Sequence, residues 1–255
     1  MSKLILPRRR FMQAMAVGAG SLTLTGCDAL TENEDVHNFI KKADRLTYGA
    51  QRSLVDRQSL AQEFAPEQMS PVFKANGSTM VDTPEYQAHV RENFANWRLK
   101  IDGLVAKPLS LSLAQLLSMP AREQITRHDC VEGWSAIGQW RGTPLALILK
   151  AAGLSTRARY LVFHCADTLD GRPYYESIDL VDAFHPQTIL AWSMNGKRLP
   201  VQHGAPLRLR VERLLGYKHA KYVSRIQAVS NFADIHQGKG GYWEDVSGYE
   251  WYGGM

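Results

Sequence analysis

The chain has 255 residues, of which 45% are hydrophobic and 22% are charged, so it can bury the core of one or two domains. This composition excludes a disordered, collagen-like or coiled-coil protein. The formal charge of +5 at first suggests a nucleic-acid or acidic-membrane partner. The three cysteines have no CxxC or CxxCH spacing, which argues against a zinc ribbon, a dithiol motif and attached haem.

The first 26 residues have the pattern of an export signal, with a basic start, an apolar run over 14–24 and no acidic residue. Arg8-Arg9-Arg10-Phe11 resembles the twin-arginine export motif. Leu24-Thr25-Gly26-Cys27 resembles a bacterial lipobox, and Asp28 after it resembles an inner-membrane retention signal. The sequence therefore predicts a periplasmic protein, exported by the twin-arginine translocation machinery and tethered to the inner membrane by a lipid on Cys27. An ordinary cleavable leader and an uncleaved anchor are the alternatives.

The export signal also explains most of the positive charge. Residues 1–26 contain four basic residues and no acidic one, which leaves 26 basic against 25 acidic residues, about +1. No nucleic-acid partner is expected, because Glu212 interrupts the main basic run and no stacking aromatics lie between its basic residues. Twin-arginine export carries folded proteins, which predicts a cofactor inserted before export.

Residues 27–84 are predicted to form a spacer in front of the main domain, 85–255. Between 35 and 64, apolar residues recur at roughly helical spacing among many charges, which indicates one long or two short amphipathic helices. Residues 65–84 contain Pro and Gly and are typical of an extended loop, with Asn76-Gly77 as a turn signal.

The main domain is predicted to mix strands with short helices. Helices are expected at 112–119 and 144–152, a hairpin turn at Asn195-Gly196, and strands at 97–103, 160–165, 188–194, 207–212 and 222–229. Because strand and helix do not alternate strictly, the predicted fold class is α+β.

The densest cluster of reactive side chains is Arg127-His128-Asp129-Cys130-Val131-Glu132. Cys130 can be a metal ligand or nucleophile, a disulfide partner of Cys165 in an oxidising compartment, or an inert buried residue. A zinc site is disfavoured because His128 and Cys130 supply only two ligands, and a serine hydrolase because Ser135 is not in a GxSxG motif. On the residues alone, the three interpretations of Cys130 stay open.

A second cluster joins the run from His203 to Arg210 with the run from Tyr217 to Tyr222. An arginine fork and a lysine from neighbouring strands suit an anion with several oxygens, such as a phosphate. A solvated basic face on two strands is the alternative.

The C-terminal end is rich in aromatic residues, with five in the eleven positions 242–252. Packing of a terminal tail on the core is one explanation for them. A rim over a substrate funnel and a docking face for an electron partner are the others.

From Trp97 onward the chain resembles the molybdopterin-binding domain of the sulfite oxidase family. The shared motifs, in order, are Trp97-x-Leu99-x-Ile101-Asp102-Gly103, Cys130-Val131-Glu132-x-Trp134-Ser135, Trp140-x-Gly142-x-Pro144-Leu145, Tyr160-x-x-Phe163 and His203-Gly204-Ala205-Pro206-Leu207-Arg208 followed by Lys221. The resemblance is closest to the bacterial periplasmic branch, which includes the catalytic subunit of the methionine sulfoxide reductase system. It implies a sulfite oxidase-type fold of mixed sheets with short helices.

The resemblance also implies a single-pterin molybdopterin cofactor carrying molybdenum. Cys130 would be the one protein sulfur that binds the metal, which would exclude a disulfide with Cys165. Glu132 is predicted to act catalytically beside the metal, as a proton donor or supporting group, with a plain salt bridge or cap as the alternative. The residues predicted to bind the cofactor are Asn76, Cys130, Cys165, His203, Arg208, His219 and Lys221.

The predicted activity is two-electron oxygen-atom transfer to or from a small molecule, by an exported molybdopterin-dependent oxidoreductase. Sulfite-oxidising members bind sulfite with an Asn-Arg-Arg run, and here Glu132-Gly133-Trp134-Ser135 replaces it, so reduction of a sulfoxide or N-oxide is favoured. A membrane cytochrome b or a c-type cytochrome is the expected electron partner, because the chain has no cysteine set for haem or iron–sulfur clusters. The alternatives are sulfite dehydrogenase-type oxidation and a non-catalytic lipoprotein binding module with a Cys130–Cys165 disulfide.

Overall fold

The structure is a computed structural model that describes residues 48–49 and 56–254. The predicted export signal, the lipid on Cys27 and most of the predicted spacer lie outside the described residues, and they stay predictions. From Val55 onward the chain forms one compact unit. None of the helices in the described ranges has both the length and the apolar character needed to cross a bilayer.

The first of two five-stranded sheets runs in the order β2 (Leu109–Ser112), β1 (Arg98–Gly103), β10 (Val223–Val229), β5 (Tyr160–Leu169) and β6 (Arg172–Asp179). Only β1 and β10 are parallel, and the other neighbours pair antiparallel. The second sheet runs in the order β3 (Arg122–Asp129), β4 (Ser135–Pro144), β7 (Ile189–Met194) and β8 (Lys197–Arg198), with β9 (Arg208–Arg210) also paired to β7.

The helices of the described residues are short: α1 (Pro84–Arg91), α2 (Leu113–Ser118), α3 (Leu145–Ala152), α4 (Leu180–Ala183) and α5 (Tyr242–Ser247), with 3-10 turns at Pro66–Gln68, Val201–His203 and Gly216–Lys218. A capping box starts α2, where the Ser112 hydroxyl accepts from the Gln115 N–H at 3.1 Å and the Gln115 side chain accepts from the Ser112 N–H at 2.8 Å. Mixed sheets with short helices confirm the predicted α+β class.

The strands and helices predicted for the main domain are all present. The strands β2, β3, β4 and β6 and the helices α1, α4 and α5 were not predicted. In β3 the inward positions carry Gln124, Thr126 and His128, all buried. Apolar residues do not alternate with polar ones there, because the inner face of β3 meets a buried polar network instead of the apolar core. A search for hydrophobic alternation therefore misses this strand.

The helix predicted between 35 and 64 is wrong over residues 56–64, which are extended or turn-like. The Phe64 N–H donates to the Ile125 carbonyl at 2.9 Å, and Ala61 exchanges two hydrogen bonds with the Gln187 side-chain amide. The edge of β3 has free backbone groups for this segment, and pairing with them competes with helix formation.

Two apolar clusters lie beneath these elements. The larger one contains fully buried side chains from both sheets and from α3, among them Leu99, Leu149 and Phe163. The smaller one surrounds Trp140 of β4, which is completely buried and lies under the basic residues of β9. The smaller cluster thus forms the floor on which the predicted basic site rests.

Candidate cofactor and active site

A solvent-open cleft of about 750 Å³ lies in the Val55–Met255 unit, where the segment 74–78, the end of β3, the end of β5 and the segment 216–221 meet. Six of the residues predicted for the site line this cleft: Asn76, Cys130, Glu132, Arg208, His219 and Lys221. Cys165 and His203 do not line it. Cys165 precedes the lining residue Asp167 by two positions on β5, and the His203 carbonyl accepts a long hydrogen bond of 3.5 Å from Arg208.

Cys130 occupies the first position of the tight loop that joins β3 to β4. Its N–H donates to the Trp134 carbonyl at 2.9 Å, and the Gly133 N–H donates to the Cys130 carbonyl at 3.0 Å. Gly133 has a φ of 85°, in the left-handed region that glycine adopts readily. The Asn76 Nδ2 donates to the Cys130 Sγ at 3.5 Å. Such an amide donor stabilises a thiolate, the form of cysteine that binds metals.

Both described cysteines are free in the structure. The disulfide between Cys130 and Cys165, which belonged to the non-catalytic alternative, is therefore not formed. Cys165 is half-buried, and desolvation, reinforced by the nearby Asp167, raises the pKa of its thiol well above the ordinary value. A cysteine in such surroundings stays a neutral thiol.

Lys221 connects the second cluster to the segment before α1. Its ammonium donates to the carbonyls of Asn76 (2.7 Å), Gln202 (3.2 Å) and Ser78. Burial, reinforced by the charge of Arg208, lowers the pKa of Lys221 to about 7. The lysine therefore holds the Asn76 loop in place and contributes a positive charge to the cleft that depends on pH.

Buried polar atoms without partners gather around Arg208. Its Nε has none, and neither have the Nδ1 atoms of His203 and His219, although all three side chains are buried. Burial and the charge of Arg210 lower the pKa of Arg208 to about 9, so its guanidinium stays charged at neutral pH without a carboxylate bonded to it. Buried charges normally have a partner, so these residues suit a bound anion.

His219 complements this donor with an acceptor. Its Nε2 donates to the Leu214 carbonyl at 3.0 Å, which leaves the buried, unpartnered Nδ1 as an acceptor. The residue itself lines the cleft. Burial lowers the pKa of His219 well below its usual range, so the ring is neutral. The site thus offers donors for phosphate oxygens and an acceptor for a ring N–H, a combination that fits molybdopterin.

We expect Lys221 to make anion binding pH-dependent. A lysine is charged below its pKa, so with a pKa of about 7 its charged fraction falls about tenfold from pH 6 to pH 8. Calorimetry on the cofactor-free protein should therefore show weaker pyrophosphate binding at pH 8 than at pH 6. The Lys221→Arg variant stays charged at both pH values, so any pH dependence of its binding comes from the titration of pyrophosphate itself. Identical pH profiles for the two proteins would contradict this role.

His128 is a cleft residue that the sequence analysis left without a role. It is 4% exposed, and its Nδ1 accepts from the Arg210 Nη1 at 3.0 Å, which places its proton on Nε2. Burial is the main cause of a pKa well below the ordinary value. Gly216 makes room for the ring, since a Cβ there would lie 2.6 Å from Nε2. The sequence places His128 in the reactive cluster around Cys130, but it does not show the bond to Arg210.

Glu132 lies at the exposed edge of the cleft. Its carboxylate accepts from the Trp134 Nε1 at 3.0 Å and from the Lys74 ammonium at 3.4 Å. These bonds, the tryptophan first, lower the pKa of Glu132. An ionised, ion-paired carboxylate does not donate a proton at neutral pH, so the geometry favours the salt-bridge alternative.

Asp167 is the other carboxyl that lines the cleft, and the sequence analysis missed it. It is 3% exposed, and its Oδ1 has no partner. Burial raises the pKa of Asp167, so it holds a proton to higher pH than an exposed aspartate does. Its position near the end of a predicted strand carried no chemical pattern in the sequence.

The C-terminal aromatics divide between two locations. Trp251 packs on the core, with its ring 5.3 Å from Tyr160 and 5.7 Å from Phe232. Trp243 and Tyr249 line the cleft instead. Tail packing is thus correct for Trp251 but does not describe the two cleft residues.

Comparison with known proteins matches residues 86–236 to the family described as oxidoreductase molybdopterin binding domain. A relative from Azospira oryzae, provisionally named the protein-methionine-sulfoxide reductase subunit YedZ1, is 38% identical over 97% of this chain and 87% of its own length. The protein-methionine-sulfoxide reductase catalytic subunit MsrP of Xanthomonas campestris is 40% identical over 54% of this chain. MsrP of Gluconobacter oxydans is 40% identical over 53% of it.

The chain spans about half the length of these two MsrP proteins, 46% and 47% respectively. Among solved structures, the sulfane dehydrogenase SoxCD from Paracoccus pantotrophus superposes with a TM-score of 0.51. The match covers 60% of this chain and 41% of that chain at 24% identity, so it concerns the fold alone.

Proposed function

Because the chain belongs to the oxidoreductase molybdopterin-binding family, we propose that it reduces sulfoxides in the bacterial periplasm. Membership itself rests on the match over 86–236 and on the relative that aligns over nearly the whole chain. The family, the enzyme class and the molybdopterin cofactor with molybdenum, all predicted from the sequence, are confirmed. The substrate, the location and the electron partner are the subject of the proposal.

The observation that carries the proposal is the shortage of arginine in the cleft. Among the described lining residues the one arginine is Arg208, which is buried beside the predicted pterin-binding histidines. A sulfite dianion needs free cationic donors at the reacting position, whereas a neutral sulfoxide does not. The two lysines of the lining are already engaged, because Lys74 pairs with Glu132 and Lys221 donates to backbone carbonyls. The names of the relatives, methionine-sulfoxide reductase subunits, support the same substrate class.

The chain's own residues have distinct tasks in this reaction. Cys130 would bind the metal through sulfur, while Arg208, His219 and Lys221 would hold the phosphate and pterin of the cofactor. When bound, the molybdenum centre supplies two-electron oxygen-atom transfer. Removing the sulfoxide oxygen as water consumes two protons and two electrons and leaves a thioether. Asp167 is the group best suited to hold one of these protons near the substrate.

The electrons must come from a partner protein that delivers them singly. The described residues contain only two cysteines, Cys130 and Cys165, too few for an iron–sulfur cluster. A cytochrome b or c-type cytochrome at the membrane fits the lipid anchor proposed for Cys27 and the twin-arginine signal proposed for residues 1–26. The word subunit in the names of the relatives is in line with such a partner.

Substrate screening with an artificial donor tests the proposal. Molybdenum-loaded protein would be given reduced methyl viologen with dimethyl sulfoxide, methyl phenyl sulfoxide, a methionine-sulfoxide peptide or trimethylamine N-oxide, and ferricyanide with sulfite. We expect reduction of the sulfoxides with a higher kcat/KM than that for the N-oxide, and no sulfite oxidation. Sulfite oxidation without sulfoxide reduction would overturn the proposal.

A further inference from the structure

Four aromatic side chains from three segments line one part of the cleft: Tyr174, Tyr217, Trp243 and Tyr249, here named the aromatic wall. The rings of Trp243 and Tyr249 stack at 5.7 Å and 21°. Tyr217 meets the Tyr249 ring edge-on at 5.3 Å. Three of the four rings therefore form one connected aromatic surface, and Tyr174 joins it through a hydrogen bond to the Tyr217 backbone. The proposed oxygen-atom transfer does not use this surface.

The aromatic wall presents ring carbons to the cleft, because two of its tyrosine hydroxyl groups are bonded to the backbone. The Tyr174 hydroxyl donates to the Tyr217 carbonyl at 3.0 Å, and the Tyr217 hydroxyl donates to the Glu250 carbonyl at 2.6 Å. With these hydroxyls bonded to the backbone, a ligand meets ring carbons at both positions. Ring faces and edges bind alkyl and aryl groups and the sulfur of thioethers.

A buried ion cluster holds the wall in place. The Lys218 ammonium lies 2.6 Å from the Glu176 carboxylate and 2.5 Å from that of Glu244, and all three side chains are 1% exposed or less. Lys218 follows Tyr217 in the chain, Glu244 follows Trp243, and Glu176 lies two positions after Tyr174. The cluster therefore joins the three segments that carry the wall.

The remaining carboxylate oxygens of this cluster need the space left by a glycine. Glu176 Oε1 and Glu244 Oε2 have no other partner, and a Cβ at Gly241 would lie 2.6 Å from the first and 2.1 Å from the second. Burial and the neighbouring Glu244 carboxyl raise the pKa of Glu176 well above its ordinary value. A polar cluster buried this fully gains little stability over apolar side chains of similar volume. Their position behind the wall indicates a role in fixing its geometry.

We propose that the aromatic wall binds the apolar substituent of the sulfoxide, and that Lys218 is the positioning residue that sets the wall. The inference deepens the function proposed above and rests on it. The enzyme then prefers sulfoxides with an aryl group or a long alkyl arm, including the methionine sulfoxide side chain, over dimethyl sulfoxide. Binding of the substituent places the sulfoxide oxygen in the cleft lined by Cys130.

Kinetics of wall variants with two sizes of sulfoxide test the proposal. We expect Trp243→Ala to raise KM about tenfold for methyl phenyl sulfoxide and for a methionine-sulfoxide peptide, and less than about twofold for dimethyl sulfoxide. Val246→Ala, at an exposed position of the same helix, is the matched control and should change neither value. Trp243→Phe should recover most of the loss. A KM change of equal size for all three substrates, or none, would overturn the role of the wall.

Removing Lys218 tests the cluster. Lys218→Met alone leaves two buried carboxyl groups facing each other without a cation, which can prevent folding. The triple variant Lys218→Met/Glu176→Gln/Glu244→Gln removes this repulsion and is used if the single variant does not fold. We expect the folded variant to raise KM for the aryl sulfoxide while kcat for dimethyl sulfoxide stays within about twofold. An unchanged KM for the aryl sulfoxide would remove Lys218 from this role.

Equilibrium binding separates failure of this inference from failure of the proposed function. Calorimetric titration of the loaded protein with methyl phenyl sulfoxide, in the absence of a reductant, reports on the wall without turnover. Binding that weakens about tenfold in Trp243→Ala supports the role of the wall, whether or not the protein reduces the sulfoxide. If the wild-type protein binds the sulfoxides but reduces none of them, the proposed function is overturned and the role of the wall is not. Equal binding by both proteins overturns the wall.

Discussion

Cys130→Ser is expected to remove molybdenum from the purified protein and to lower sulfoxide reduction by more than about 100-fold. Loss of a residue that merely supports a ligand typically costs 10- to 100-fold in metal affinity or activity, so loss of the ligand itself costs more. A serine hydroxyl is a harder ligand with a much higher pKa than a thiol, and the Asn76 amide at 3.5 Å from Sγ would have no thiolate to stabilise. Elemental analysis and the viologen assay measure the two effects.

Cys165→Ser is the matched control, since Cys165 is the other cysteine in the described part of the chain. It lies on β5 outside the cleft lining, so this variant should retain molybdenum. Thiol titration of the unfolded wild-type protein should count the same number of free thiols at positions 130 and 165 with and without prior reduction, because no disulfide joins them. Retention of full molybdenum by Cys130→Ser would show that the metal is bound elsewhere.

Arg210→Met is expected to lower the free energy of unfolding by about 3–5 kcal/mol. Arg210 and Glu212 form a fork of two bonds, 2.6 Å and 2.9 Å, and both side chains are fully buried. The substitution leaves the Glu212 carboxylate buried without its cation, and it also removes the donor to the His128 Nδ1. Chemical denaturation of the cofactor-free protein would measure the loss, and for a domain of this size it corresponds to a Tm lower by about 10 °C.

Two further variants identify the cause of that loss. Arg127→Met breaks an ion pair with Asp129 of similar length, 2.9 Å, but the arginine is exposed, so it should cost less than about 1 kcal/mol. Arg210→Met/Glu212→Met removes both charges and should restore more than half of the stability lost in the single variant. If Arg210→Met were as mild as Arg127→Met, the buried pair would not support the fold as described.

Sequence patterns predicted the elements whose environment is simple. Residues 144–152 face the core on one side and end at Gly153, which has φ 66°, so periodicity and a terminal glycine sufficed for α3. Residues 56–64 show the opposite case. Their apolar spacing indicates a helix, yet the backbone pairs with β3 and with Gln187, which lies 126 positions from Ala61. Local patterns do not contain such distant partners.

The same distinction applies to the site. Cys130, Arg208 and Lys221 were found because they belong to motifs with fixed spacing, and the structure brings all three to one cleft. Asp167 was missed and His128 was given no role at the site, because their chemistry depends on burial and on neighbours from other strands. The sequence placed Glu132 next to Cys130 but did not show that Lys74 and Trp134 bind its carboxylate.

The contacts of Lys221 also constrain the order of events during biosynthesis. Its ammonium binds the carbonyl of Asn76, 145 positions earlier in the chain, and that of Ser78, 143 positions earlier. The cleft is thus assembled from an early segment and a late one, and a ribosome-bound chain that ends before residue 221 lacks one of its walls. Completion of the cofactor site must therefore wait until the chain has been synthesised past residue 221.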